Sequence, residues 1–256
     1  MRNYSKTVGA LAAASTLVAG TAMAEIEGEI HVGYHNMYEF RFVDLGSDLV
    51  EAGVDIAYDA GPVSLSAGAW YASVNDNKAG RAFNFEELDL YAAVGTSLGP
   101  VDLEFGYIFY HFLDAAGSDT QEIYVSASTE LFWGIGIGST LYYDFDANNG
   151  LYVDTSISKS FELNDCLALD LAAGFGYADG HGLQGAFGNP NPGATHDGYQ
   201  GFYVSAALPW EFREGVTLTP YVKYADAASG LASDFTTGTS NGKDMIVAGA
   251  ALAVAW

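Results

Sequence analysis

The stretch GPVDLEFGYIFYHF, residues 99–112, decides the fold class. Asp102 and Glu104 alternate with Val101, Leu103 and Phe105 before the run turns almost wholly aromatic and aliphatic. Alternation at period two makes a β-strand with two chemically unlike faces. What covers the apolar face separates two readings, because a second sheet makes a soluble sandwich whereas lipid makes a membrane wall.

The first 24 residues favour export. MRNYSKTVGALAAASTLVAGTAMA carries Arg2 and Lys6, a short apolar run from Val8 to Val18, and the small-residue site Ala22-Met23-Ala24, the three parts of a signal peptide. Residues 1–24 are therefore expected to be a leader and residues 25–256 one domain. Nowhere later does the sequence offer the run of about 18 apolar residues that a spanning helix needs. Without the leader, seven basic residues face 32 acidic ones, a formal charge of −25, which argues against nucleic acid as a partner. Cys166 is the single cysteine, so no intramolecular disulfide is expected.

Twelve strand-like segments follow, at residues 28–40, 49–59, 63–74, 85–97, 101–112, 121–131, 135–146, 150–160, 166–178, 199–210, 215–226 and 244–256. Turn signals rich in Gly, Asn, Asp and Pro separate them. Every second connection is tight: Asp59 to Pro62, Leu98 to Pro100, Leu131 to Gly134, Glu162 to Asp165, and Arg213 to Gly215. The intervening ones are mostly longer and more polar, such as NDNKAGRAFN and ADGHGLQGAFGNPNPGATHDG, with DANNG a short exception. Short turns at one end and long loops at the other are the pattern of an outer-membrane barrel. The predicted fold is all-β, a twelve-stranded antiparallel transmembrane barrel with both termini at the periplasmic end.

The two faces carry the functional reading. Apolar sets such as Val50, Val54, Ile56 and Tyr58, or Leu103, Phe105, Tyr107 and Phe109, are assigned to lipid. Opposite them fall Glu51, Asp55, Glu87, Asp89, Asp102, Glu104, Glu122, Asp144, Asp154 and Asp170, with Lys223 the base among them. These are the expected pore-lining residues. Asn36 does not fit, because it shares a face with Val32 and Tyr34. Phe132, Trp133, Phe161, Trp210 and Trp256 gather at the short-turn end, as amphipathic rings do where hydrocarbon meets water.

Five segments also resemble the TorF-family porins: Asn36 to Arg41, Val54 to Gly61, Glu87 to Ala92, Phe105 to Tyr110, and Glu122 to Val125. The family opens with an S-D-Y-x-F-R-G-like motif; here the leading S-D is missing and Phe42 stands where the glycine would follow Arg41. The resemblance covers much of residues 34–160. It implies a barrel in the outer membrane of a Gram-negative-type bacterium and says little about substrate. Trp256 likewise resembles the C-terminal aromatic by which such barrels are recognised for assembly, where Phe is commoner.

The expected function is passive diffusion of ions or small cationic or neutral solutes through a narrow lumen, because a confined acidic wall attracts cations and repels anions. The alternative is a closed barrel, its acids bonded to Tyr, Ser and Arg41, with a structural or loop-binding role. No catalytic residues, metal or cofactor are expected. Asp144 to Gly150 departs from a calcium loop because Gly comes late and Thr155 replaces the bidentate Glu, while Asp179, His181, His196 and Asp197 are ordinary residues for a polar loop. Partners would be outer-membrane lipid and the solute. A homo-oligomer is compatible with the sequence.

Overall fold

The computed structural model describes residues 26–75, 85–113, 119–147, 149–181, 197–228 and 244–256; the expected leader lies outside them. The strands are β1 (Ile26–Phe40), β2 (Val43–Asp59), β3 (Ser64–Val74), β4 (Phe85–Leu98), β5 (Val101–Phe112), β6 (Thr120–Leu131), β7 (Ile135–Asp144), β8 (Gly150–Asn164), β9 (Leu167–Asp179), β10 (Gly198–Ala207), β11 (Trp210–Arg213), β12 (Val216–Ala227) and β13 (Asp244–Ala255). β10 and β11 are one stave, since both lie between β9 and β12. Pro209 interrupts it because proline has no N–H to give the ladder. Its carbonyl still accepts from Ala168 N–H at 3.1 Å.

Each stave pairs antiparallel with its sequence neighbours, and β1 pairs with β13. The result is a closed antiparallel barrel of twelve staves. Closure removes the exposed edges an open sheet would present. The seam runs from Glu29↔Ala255 to His35↔Gly249, and at its short-turn end Gly28 exchanges backbone hydrogen bonds with Trp256 at 2.9 and 3.1 Å. The Trp256 ring lies over Gly28, where any side chain would collide with it.

Alternation sorts the faces as expected from composition. Val50, Val54, Ile56, Leu90, Phe105, Leu171, Phe175, Ile246 and Leu252 are exposed on the outside. Glu51, Asp55, Asp89, Glu122 and Asp170 are buried inside. No helix among the described residues is long and apolar enough to cross a membrane.

The first hairpin departs from the wall. β2 begins at Val43 rather than at 49, so only Arg41 and Phe42 join it to β1. Both have positive φ, 51° and 67°, the geometry of a tight two-residue hairpin turn. The β1–β13 ladder stops at His35 and the β2–β3 ladder starts at Leu49. Between those levels the hairpin pairs only with itself, through Met37↔Ser47, Tyr38↔Gly46, Glu39↔Asp44 and Phe40↔Val43. It folds into the barrel, where Tyr38, Phe42, Val43 and Leu45 pack with Trp70, Ala72 and Val74 of β3, Ala225 and Ala227 of β12, and Met245 of β13.

Asn36 stands at the point of departure and its misfit is thereby explained. Its side-chain amide donates to Ile246 O at 3.0 Å and accepts from Ala248 N–H at 2.8 Å. The side chain replaces the backbone partner that β13 loses when β1 turns inward.

Candidate functional site

The interior carries a set of carboxylates, most of them held by a phenol, hydroxyl, indole or cation. At the short-turn end, Asp102 is exposed and accepts from Ser97 at 2.5 Å. Glu104, one inward position further, accepts from Tyr124 at 2.8 Å. Asp170 is buried, with Oδ1 lacking a hydrogen-bond partner. Along β1 and β2, Glu51 accepts from Trp70 Nε1 at 2.6 Å and lies 3.1 Å from His35. Asp55 accepts from Tyr91 at 2.5 Å and lies 3.6 Å from His31. Asp154, on β8, accepts from Tyr203 at 3.3 Å.

Towards the long-loop end, the hairpin takes over the partnering. Tyr38 donates to Glu87 at 2.9 Å. Asp89, two residues on and on the same face, keeps a buried Oδ1 without a hydrogen bond. Lys223 pairs with Glu39 of the hairpin and lies 4.9 Å from the centre of the Tyr203 ring. Asp144 accepts from Thr120 at 2.8 Å. Phe42 reaches β9 and β10, where a Cβ on Gly176 or Gly201 would lie 2.7 Å from its ring.

Arg41, at the hairpin tip, is the centre of this end. Its guanidinium forms two parallel bonds with Glu122 of β6, each 2.7 Å. Its Cζ lies 4.5 Å from the Tyr142 ring centre, 4.6 Å from Tyr152 and 4.7 Å from Phe40, within the range of cation–π attraction. Tyr110 donates to the same carboxylate at 3.0 Å. His181 Nε2 lies 2.9 Å from both Arg41 Nη1 and Glu122 Oε1. It is placed there because Gly180, at φ 67°, bridges to Leu151 and turns the end of β9 inward.

Of the acids assigned to the inner wall, Glu51, Asp55, Glu87, Asp89, Glu122, Asp144 and Asp170 are buried, Glu104 and Asp154 are partly buried, and Asp102 is exposed. The sequence reading missed Glu39, His31, His35 and His181 as parts of this network. It also gave Arg41 no more than a place among possible plugging groups. The signal was present in Tyr38-Glu39-Phe40-Arg41-Phe42, where charges interrupt an aromatic run at a turn.

Of the loop residues considered for a metal, His181 is buried while Asp179 and Asp197 are exposed. His181 turns inward, Asp197 accepts from Gly180 N–H at 2.8 Å, and His196 lies outside the described residues. Glu122, Asp144 and His181 do bring one potential ligand atom each within 4.8 Å of one another. Arg41 already supplies the cation beside Glu122 and His181. At the short-turn end, Phe132, Trp133, Phe161, Trp210 and Trp256 are all exposed, Trp133 the most at 79%.

A family model matches residues 20–208. The chain belongs to this family, Gcw_chp, described as a bacterial protein of unknown function. Among solved structures, the chain is similar to the NanC porin, with a TM-score of 0.53 and 10% identity over 89% of this chain and 98% of that one. It is similar to the KdgM porin, with a TM-score of 0.51 and 10% identity over 88% and 98%. A third is the COG4313 outer membrane channel from Pseudomonas putida F1, with a TM-score of 0.53 and 8% identity over 93% and 97%. At such identities the likeness establishes the fold of these porin and channel barrels. No curated protein matches the chain.

Proposed function

We propose that this Gcw_chp protein is a narrow outer-membrane porin through which ions or small solutes diffuse passively, with a preference for cations. The observation that carries the reading is the sign of the inner wall. Glu51, Asp55, Glu87, Asp89, Glu122, Asp144 and Asp170 are buried and Asp102, Glu104 and Asp154 are assigned to the same lining, while Arg41 and Lys223 are the Lys or Arg residues placed with them among the described ones. A one-signed field in a confined, partly low-dielectric passage concentrates counter-ions. The likeness to porin and channel barrels and the resemblance of residues 34–160 to the TorF-family porins both support it. No covalent chemistry belongs to this reading; transport is diffusion biased by charge.

The inward hairpin favours a second reading, a barrel closed at its long-loop end whose role is structural or lies in its loops. Planar-bilayer recording under a KCl gradient separates the two. The porin reading expects a small conductance with a cation-favouring reversal potential. It also expects larger conductance when Met37–Ser47 is replaced by Asn-Gly, a two-residue turn that would rejoin β1 and β2 without the plug. Silence from both proteins would sink the porin, and anion-favouring reversal would sink the role given to the acids.

A further inference from the structure

We infer that the wall around Arg41 is a binding site for guanidinium-bearing solutes, and that the Arg41 side chain is its tethered occupant. The inference deepens the porin reading and rests on it for the solute's access, but the chemistry of the cage stands independently. Glu122, Tyr110, Tyr142, Tyr152 and His181 belong to the barrel; only Phe40 and Arg41 come from the hairpin.

The cage is held together by the wall. Glu122 sits on a rung with Asp144, and Tyr142 is paired with Tyr124 on one side and Tyr152 on the other. The Tyr142 and Tyr152 ring centres are 6.3 Å apart, and those of Tyr124 and Tyr142 are 5.6 Å apart. These contacts do not involve the hairpin. Arg41, by contrast, arrives on a segment whose backbone ladders with the adjoining staves end at His35 and Leu49, with Asn36 tied to β13 through its side chain. Its withdrawal would leave the buried Glu122 charge uncompensated, a state that favours another cation in its place.

The geometry selects the kind of cation. A planar fork matches both carboxylate oxygens of Glu122 while its faces lie against aromatic rings; an ammonium ion makes a point contact and matches neither feature as well. The barrel contains the contrasting case. Lys223 meets Glu39 with one ring, Tyr203, beside it, whereas Arg41 has a two-pronged carboxylate and three rings.

A tethered occupant competes as if present at millimolar or higher concentration. Removing it should therefore tighten binding of a free analogue. The test is saturation-transfer NMR on the folded, detergent-solubilised protein with methylguanidinium as probe and methylammonium at equal ionic strength as control. Arg41→Ala is expected to bind methylguanidinium saturably, at least about tenfold more tightly than the unmodified protein, and to prefer it to methylammonium. Adding Glu122→Gln should abolish the binding. Equal affinity with and without Arg41, no preference over methylammonium, or binding that survives Glu122→Gln would overturn the site.

Should Arg41→Ala fail to fold, refolding yield supplies the readout. Recovery with methylguanidinium, and not with methylammonium, supports the site; no selective recovery overturns it. Bilayer recording then separates this inference from the one beneath it. Selective binding with no current in any variant would overturn the channel and leave the site, whereas current without saturable binding would overturn the site and leave the channel.

Discussion

Asn36 makes two hydrogen bonds that a neighbouring strand would otherwise make. Replacing it by Leu leaves Ala248 N–H and Ile246 C=O without those partners, and we expect a loss of about 1–3 kcal/mol, measured as the urea midpoint of unfolding in detergent. An unchanged midpoint would mean that solvent or the headgroup region satisfies this edge. The residue also illustrates how far alternation can be read. Val32 and Tyr34 identify the outer face correctly, so a polar Asn36 in phase with them is an anomaly in the sequence. Its meaning is invisible there because its partners lie 210 and 212 residues away.

At the scale of the hairpin, Phe42 joins the inward segment to the wall. Its ring fits against Gly176 of β9 and Gly201 of β10, staves that do not adjoin its own hairpin, and packs 6.3 Å from Tyr203. Phe42→Ala should cost about 3–5 kcal/mol if the space stays empty, and should raise single-channel conductance if the hairpin is what narrows the passage. Unfolding midpoint and bilayer recording check the two halves separately. A destabilised barrel with unaltered conductance would place the constriction elsewhere. The strands themselves were legible because lipid and interior impose opposite polarities on successive residues. The inward fold of residues 36–48 was not, since apolar residues that fill a lumen resemble those that meet lipid or end a strand. Leu49 and Val50 look alike in composition, yet one is fully buried and the other half-exposed.

For the whole molecule, the distribution of charge was more legible than its pairing. The ten acids were separable from the apolar positions by phase alone, but their partners, from Trp70 and Tyr91 to Arg41, depend on which staves face each other. Asp102 and Glu104 provide the cleanest test, because Asp102 is exposed at the short-turn rim and Glu104 stands just inside it. Asp102→Asn with Glu104→Gln should move the reversal potential towards zero under a KCl gradient while leaving the folded fraction unchanged. A full cation preference after both changes would show that this mouth does not contribute to selectivity. It would direct attention to the buried acids further in.

The seam between β1 and β13 also sets an order of events in assembly. The hairpin turn is local and can form as soon as its own residues exist, whereas the partners of Arg41 lie 81 and 140 residues downstream. The ladder that completes the cylinder joins Glu29 to Ala255, among the most distant pairings the described chain contains, and distant pairings bear the largest closure entropy. On closure entropy that seam is expected to zip last, after the hairpin has folded inward. A chain stalled beforehand would present two bare strand edges together with an acidic interior. The time spent in that state, rather than the stability of the finished barrel, would then govern how often the protein is lost to aggregation during its insertion.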